Sequence, residues 1–217
     1  MKYMEDFRRH FREAPAFTAR DARVFLSGKG ISGDYLRTLL RNLVKKGELK
    51  RISKGAYTFR EEAAVAGFAF QPFYYGLEEA LTLRKLWEQE TNPVIITPRR
   101  VRSGVRSFLG TNIVVRRISR GMFFGFSMVR HYGMWLPVSD VEKTLIDFFH
   151  FRQHLPKEAL AEMKKQIRKD VLEEYLKRCP KRLALKVRNA LSKSQCVSIY
   201  GSFPPPARFS SSARRRQ

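Results

Sequence analysis

The chain has 217 residues, of which 43% are hydrophobic, so it can build a core and is not a disordered polymer. Lys and Arg number 43 against 20 Asp and Glu, which gives a net charge of +23. An excess of this size predicts a polyanionic partner, namely DNA, RNA or an anionic membrane surface. A generally basic composition without such a partner is the alternative.

Other features of the sequence exclude several classes of protein. No apolar run approaches the roughly 20 residues that a spanning helix needs, and the charged N-terminus lacks the apolar segment of a signal peptide. Cys179 and Cys196 form no CxxC pair, and the four histidines lack zinc-ligand spacing. We therefore expect a cytoplasmic protein with no membrane contact, no structural disulfide, no metal and no cofactor.

The first sixty residues predict three helices. Phe7 and Phe11 mark one face of a helix that ends before Pro15. A second helix follows a capping box formed by Thr18 and Asp21. A third helix begins at the N-cap residue Ser32 and ends at Gly47. Its apolar face consists of Leu36, Leu39, Leu40 and Leu43.

A β-hairpin is predicted directly after the third helix. Two short strands, Glu48–Ser53 and Ala56–Phe59, flank a tight turn at Lys54–Gly55. Three helices followed by a hairpin is the order of a winged helix-turn-helix, which we assign to residues 1–62. A helical bundle with an unrelated hairpin is the alternative.

A mixed α+β domain is predicted over residues 63–152. An amphipathic helix, Leu77–Trp87, opens it, and a capping box at Ser139–Glu142 begins its last helix. Four strand-like runs lie between these helices. They are Pro93–Thr97, Asn112–Arg116, Met122–Phe126 and Trp135–Val138.

The rest of the chain is predicted to be helical and then irregular. Residues 153–200 form a basic helical extension, with helices over 157–168, 170–178 and 181–191. Residues 201–217 have the Pro-, Ser- and Arg-rich composition of a disordered basic tail. Residues 60–67 are expected to form a hinge with few core contacts. The fold class is therefore α+β, with an N-terminal winged helix and a helical C-terminal extension.

The third helix is the best candidate for reading DNA. Arg donates two hydrogen bonds to guanine and Asn pairs with adenine, and the second helix of a helix-turn-helix pair lies in the major groove. Basic residues of the wing are expected to contact phosphates. A solvated helix face that binds nothing is the alternative. The predicted DNA-binding residues are Tyr35, Arg37, Thr38, Arg41, Asn42, Lys45, Lys50, Arg51 and Lys54.

Two further groups of residues have the composition of binding or catalytic sites. An additional basic surface for phosphate contacts is predicted at Arg99, Arg100, Arg102, Arg106, Lys164, Lys165 and Arg168. A nuclease-like cluster of Asp140, Glu142, Lys143 and Asp147 lies on a single helix start, whereas a metal site needs carboxylates from separate elements. We therefore expect no catalytic site and no enzyme. The aromatic side chains of the domain at 63–152 are expected to lie in its core, with stacking on nucleic-acid bases as the alternative.

Three stretches of this sequence resemble the AbiEi-type antitoxins, which are transcriptional regulators of type IV, abortive-infection toxin–antitoxin systems. The first is the predicted winged helix that ends at Lys54–Tyr57. The second, Tyr75–Leu81, is similar to the aromatic–LESAL helix of that family, and the third, Val138–Asp147, is similar to its SPEKALLD helix start. The resemblance covers roughly residues 17–151. Asp140 replaces the usual proline, and the basic tail after Leu191 has no counterpart.

The resemblance implies two functions. It implies an autorepressor that binds double-stranded DNA at operator repeats in its own promoter. It also implies an antitoxin that counteracts a nucleotidyltransferase-like toxin without forming a stable complex with it. A basic protein that binds RNA or the ribosome non-specifically, with no antitoxin role, is the alternative. The sequence does not specify the oligomeric state.

Overall fold

The computed structural model describes residues 3–30, 32–89 and 92–192. The first part is an N-terminal unit, residues 3–60, in which three helices surround a small antiparallel sheet of strand order β1-β3-β2. Its elements in chain order are α1 Met4–Phe11, β1 Phe17–Thr18, α2 Ala19–Ser27, α3 Gly33–Lys45, β2 Lys50–Ser53 and β3 Ala56–Thr58.

Local signals in the sequence fix the boundaries of these helices. Thr18 and Asp21 form the predicted capping box at the start of α2, with the Thr18 N–H donating to Asp21 Oδ2 at 2.7 Å. Ser32 caps α3, accepting from the Tyr35 N–H at 3.4 Å. Gly47 follows α3 with φ +74°, a conformation that glycine adopts without steric cost. The three predicted helices are therefore confirmed.

Aromatic rings and the leucines of α3 form the core of the N-terminal unit. Phe7 is fully buried, and its ring centroid lies 4.8 Å from that of Phe11 and 5.6 Å from that of Phe17. Leu39 and Leu43 are also fully buried. One face of α3 is therefore committed to the core, which leaves the opposite face available to a partner.

The second part of the chain is built on a six-stranded mixed sheet of order β6-β7-β5-β4-β9-β8. The β5–β7 and β4–β9 pairs are parallel and the other neighbours are antiparallel. Its strands are β4 Tyr74–Tyr75, β5 Val94–Thr97, β6 Gly104–Phe108, β7 Thr111–Arg117, β8 Phe126–His131 and β9 Met134–Ser139.

The two faces of this sheet pack into different cores. Alternate residues of a strand point to opposite faces, so Tyr74 and Ile96 enter one core while Tyr75 and Ile95 enter the other. The helices packed in the first core are α4 Leu77–Leu83, α5 Val141–Phe151, α6 Lys157–Gln166, α7 Lys169–Lys177 and α8 Lys181–Ser192. The second core includes the 3₁₀ helix Ala63–Phe70 and Ile52 of strand β2. The architecture is thus α+β, as predicted.

The predicted strands of the second part are partly wrong. Gly104–Phe108, which is absent from the four predicted strands, is the edge strand β6. The predicted strand Met122–Phe126 is a 3₁₀ turn at Arg120–Met122 followed by Gly125 with φ +69°, and β8 begins only at Phe126. The helix expected over Leu77–Trp87 ends at Leu83.

Two local predictions are also wrong. Ser139 does not cap α5, because its hydroxyl is bonded to that of Thr144 at 2.7 Å, and the N-cap is Asp140 without a side-chain cap. Residues 60–67 are not a hinge with few core contacts, since Val65 and Ala66 are fully buried. The Gly67 N–H also donates to the Tyr75 hydroxyl at 3.0 Å.

The predictions for the C-terminal part can be compared with the structure as far as Ser192, the last described residue. The three helices expected after Pro156 are confirmed as α6, α7 and α8, and they share the first core with α5. The predicted disordered tail, 201–217, lies outside the described residues. Within residues 3–30, 32–89 and 92–192, no helix is long and apolar enough to cross a membrane.

Candidate nucleic-acid interface

The exposed face of α3 is a narrow basic stripe. Arg37, Arg41 and Lys45 are exposed, on the side of the helix opposite the buried leucines. Arg37 lies 3.3 Å from Asp34, but both side chains are more than four-fifths exposed, so this ion pair contributes little and yields readily to a stronger partner. The stripe can therefore present guanidinium and ammonium groups to a groove.

Three other predicted residues of α3 lie on the border between this stripe and the core. Thr38 and Asn42 are half-buried. Tyr35 is half-buried as well, and its ring packs edge-on against Tyr3 with centroids 6.4 Å apart. Its hydroxyl accepts a hydrogen bond from the Tyr3 N–H at 3.4 Å. Tyr35 thus has a packing role in addition to any contact with a ligand.

The hairpin β2–β3 presents the predicted wing residues unequally. Lys54 is exposed in the turn, where Gly55 has φ +79°. Arg51 is exposed and donates from Nε to the Ser53 carbonyl at 3.3 Å. Lys50 is half-buried and pairs with Glu61 at 2.9 Å, a hydrogen bond that lowers the pKa of the Glu61 carboxyl. Lys54 and Arg51 are therefore the more available cations of the wing.

Sequence reasoning missed the basic residues of α2. Arg20 and Arg23 are exposed, three residues apart on that helix, beside Val24, whose surface is 67% exposed. Helix α2 packs against α3, so these arginines belong to the same unit as the α3 stripe. The signal available in the sequence was the i, i+3 spacing of two arginines at positions of α2 outside the apolar pair Ala22 and Leu26.

An arginine-rich loop, residues 98–103, and the strand β6 lie next to the β2–β3 hairpin. Residues 91–139 contain eight Arg and no Asp, Glu or Lys. Arg99 donates to the Ala69 carbonyl at 3.1 Å, and the Arg106 guanidinium lies 5.1 Å from the centre of the Phe70 ring. Ala69 and Phe70 belong to the 3₁₀ helix that packs against β2. The β2–β3 hairpin therefore has Arg99 and Arg106 as neighbours through this 3₁₀ helix.

Hydrogen bonds hold both ends of the loop formed by residues 98–103. The buried Thr97 hydroxyl lies 2.9 Å from the Phe70 carbonyl and 2.8 Å from the Pro72 carbonyl, and Ser103 Oγ accepts from the Arg117 N–H at 3.0 Å. Arg99, Arg100 and Arg102 are exposed between these anchors. Because the backbone is already fixed, a phosphate contact here orders mainly the side chains.

The other predicted basic residues lie on a different surface. Lys164 and Lys165 are on α6, which packs in the first core, whereas the wing adjoins the second core on the opposite face of the sheet. Lys165 pairs with Glu162 at 2.6 Å and Arg168 with Glu142 at 3.2 Å. The structure does not bring this group together with α3 and the wing.

The acidic cluster around α5 is closed rather than open to solvent. Lys143 and Asp147 are fully buried and paired, and the Tyr74 hydroxyl donates to Asp147 Oδ2 at 2.9 Å. Burial raises the pKa of the Asp147 carboxyl, and Lys143 opposes that effect. Glu142 accepts from the Arg168 N–H at 2.8 Å, while Asp140 accepts from Arg84 and Tyr175. These carboxylates are therefore engaged in ion pairs and hydrogen bonds with neighbouring side chains.

Comparison with known proteins bears on the fold. No family model and no curated protein sequence matches this chain. The crystal structure of the RV2827C protein from Mycobacterium tuberculosis is similar, with a TM-score of 0.56 and 15% sequence identity, covering 82% of this chain and 72% of that one. The two proteins share a fold. At this identity the similarity concerns the fold alone.

Proposed function

We propose that the N-terminal unit is a winged helix-turn-helix that binds duplex DNA, with α3 in the major groove. The observation that carries the proposal is the basic stripe of α3, which lies opposite a leucine core in a unit of three helices and a hairpin. The element order and the antiparallel sheet β1-β3-β2 support the winged-helix assignment. The net charge of +23 supports the binding of a polyanionic ligand.

The exposed residues suggest a division of contacts in this proposal. Arg37 and Arg41, with the half-buried Thr38 and Asn42 beside them, are assigned to base edges. Lys45, Arg51 and Lys54 are assigned to phosphates. Arg99, Arg100, Arg102 and Arg106 are assigned to flanking phosphates, because the 3₁₀ helix places them beside the wing.

We further propose that the protein is a transcriptional regulator, and that it acts as an autorepressor and antitoxin with a nucleotidyltransferase-like toxin. The resemblance of three sequence stretches to the AbiEi-type antitoxins carries this part. Two of those stretches have evident structural roles here. At Gly76, a Cβ would lie 2.3 Å from the Ile96 side chain, and Lys143 and Asp147 form the buried ion pair.

A competition assay tests DNA binding. The protein should prefer its own upstream duplex over random duplex and over structured RNA by about 10³-fold or more. Equal affinity for all three would support instead a basic protein that binds RNA or the ribosome non-specifically. Incubation of labelled DNA with Mg²⁺ should give no cleavage, as expected of a protein that is not an enzyme.

The antitoxin role needs its own experiment. Co-expression with a nucleotidyltransferase-like gene found beside this one should restore growth that the toxin alone arrests. An Arg41→Ala variant should still restore growth while losing operator repression, because the two activities are assigned to different parts of the chain. Failure of the wild-type protein to restore growth would leave a regulator without an antitoxin role.

A further inference from the structure

The edge strand β8 and the adjoining face of β9 carry exposed apolar surface. Met128, Tyr132 and Trp135 are 54%, 68% and 57% exposed, and all three belong to the β8–β9 hairpin. A groove beside them is lined by Phe68, Phe73, Phe123, Phe126, Met128 and Trp135, and its lining includes no charged residue among those that the structure describes. Exposed apolar clusters of this kind mark interaction sites.

The outer edge of β8 is open for strand pairing. In the described part of the chain β8 pairs with no strand other than β9, so its other edge has no strand partner for its N–H and C=O groups. Proteins commonly protect such edges with Pro, Lys or several charges, whereas β8 has one cation, Arg130. The opposite edge is better protected, because exposed Arg102 adjoins β6 and β6 itself holds Arg106.

We propose that β8 pairs with β8 of a second copy of this chain, joining two six-stranded sheets into one. The role of this dimer in DNA binding rests on the proposed function, whereas the pairing of the two β8 strands does not. An antiparallel edge is complementary to itself under a two-fold axis, which is the symmetry of most homodimers. The groove is lined by uncharged residues and β8 holds one Arg, so two copies of net charge +23 can approach there with little repulsion.

The register of β8 permits this pairing. A two-fold axis at Met128 sets the two Met128 side chains side by side and places each Arg130 opposite Phe126 of the other copy. The two Arg130 residues then lie about 14 Å apart along the strands. That distance exceeds the Debye length of about 8 Å at physiological salt, so their repulsion is largely screened.

The resulting assembly suits binding to two half-sites. A two-fold axis perpendicular to the joined sheet makes the same face continuous from one copy to the other, turned progressively by the twist of the sheet. That face carries the N-terminal unit, because Ile52, Ala16 and Ala56 pack in the second core. The dimer therefore carries two copies of the N-terminal unit, as binding to two half-sites requires.

Measurement of mass in solution tests the proposal without DNA. Light scattering on the full-length protein, over a wide range of concentration, should show a dimer for the wild type and a monomer for Met128→Glu and for Trp135→Glu. Val105→Glu is the matched control, because Val105 is 65% exposed on the other edge strand, β6. It should remain a dimer. A wild-type protein that stays monomeric, or a Val105→Glu variant that dissociates equally, would overturn the assignment.

Cysteine trapping and DNA binding distinguish the remaining outcomes. With Cys179 and Cys196 replaced by Ser, Met128→Cys should form a covalent dimer on oxidation, since residues directly opposite on paired strands have disulfide-compatible spacing. Val105→Cys should not. On a duplex with two half-sites, Met128→Glu should bind about 10²-fold more weakly than wild type, yet equally well to a single half-site. A dimer with no DNA affinity would refute the proposed function and leave the interface standing.

Discussion

Substitutions of single side chains test which residues contact bases and which contact phosphates. Arg41→Ala should cost about 1–3 kcal/mol of binding free energy on the specific duplex and much less on random duplex, because a bidentate Arg–guanine contact exists only at the right base. Binding isotherms on both duplexes measure the difference. Arg41 is exposed, so thermal unfolding should not change.

Lys54→Ala is the matched control for Arg41→Ala. It should weaken binding to both duplexes about equally and reduce the slope of log affinity against log salt by about one unit. If Arg41→Ala, Arg37→Ala and Asn42→Ala all leave specific binding unchanged, α3 is not the helix that reads the sequence. The arginines near the wing would then be the next residues to test.

Glu79 links stability to pH. It is 9% exposed, and burial raises the pKa of its carboxyl from 4.5 to about 7. Since the folded-state pKa lies above the unfolded value, the stabilising effect of the protonated form is complete below pH 4.5. It is lost as the pH rises to about 7, a change of about 3 kcal/mol in the free energy of unfolding.

Glu79→Gln isolates this effect because the amide stays neutral. Denaturant unfolding from below pH 4.5 to above pH 7 should show wild type losing stability relative to the variant across that window. Glu158→Gln, an exposed position on α6, should follow wild type. A constant difference between wild type and Glu79→Gln over the whole range would show that Glu79 keeps the same protonation in both states.

At the scale of elements, the 3₁₀ helix Ala63–Phe70 connects the N-terminal unit to the sheet. Its backbone passes so close to Phe73 that a Cβ at Gly67 would lie 2.1 Å from that ring. Gly67→Ala should therefore destabilise the protein by about 1–3 kcal/mol, since Phe73 is buried and moves only at a cost in packing. Denaturant midpoints measure the loss.

Gly33→Ala provides the comparison for that substitution. Apart from the adjacent residues and the helix's own backbone, no atom of the described residues lies within 4 Å of a Cβ at Gly33, the first residue of α3. Ala is also the better helix former. This change should be neutral or slightly stabilising. Equal effects of the two substitutions would show that the 3₁₀ helix is not packed as described, and would restore the hypothesis of a hinge at residues 60–67.

For the whole molecule, the distribution of charge over the two faces of the sheet is testable. Replacing Arg99, Arg100 and Arg102 together by Ala should reduce the salt slope of DNA binding by about three units, because each phosphate contact contributes about 0.9. Lys164→Ala, on the opposite face, should leave the slope unchanged. A triple variant with the wild-type slope would confine DNA contacts to the N-terminal unit.

The sequence by itself determined the N-terminal helices and hairpin, where capping residues, Gly47, Gly55 and leucine spacing act within a few residues of each other. It also predicted the C-terminal helices. Only the tertiary structure decided that Gly104–Phe108 is a strand, because an edge strand needs few apolar residues and depends on pairing with β7.

Long-range contacts likewise decided the candidate site. The sequence grouped seven basic residues as one additional surface, but the sheet separates Arg99 from Lys164 by placing the wing and α6 on opposite faces. Lys143 and Asp147 have the residue types of an active site, yet burial against Tyr74 makes them an internal ion pair. Chain order does not encode such distances; the packing of the sheet against its two layers sets them.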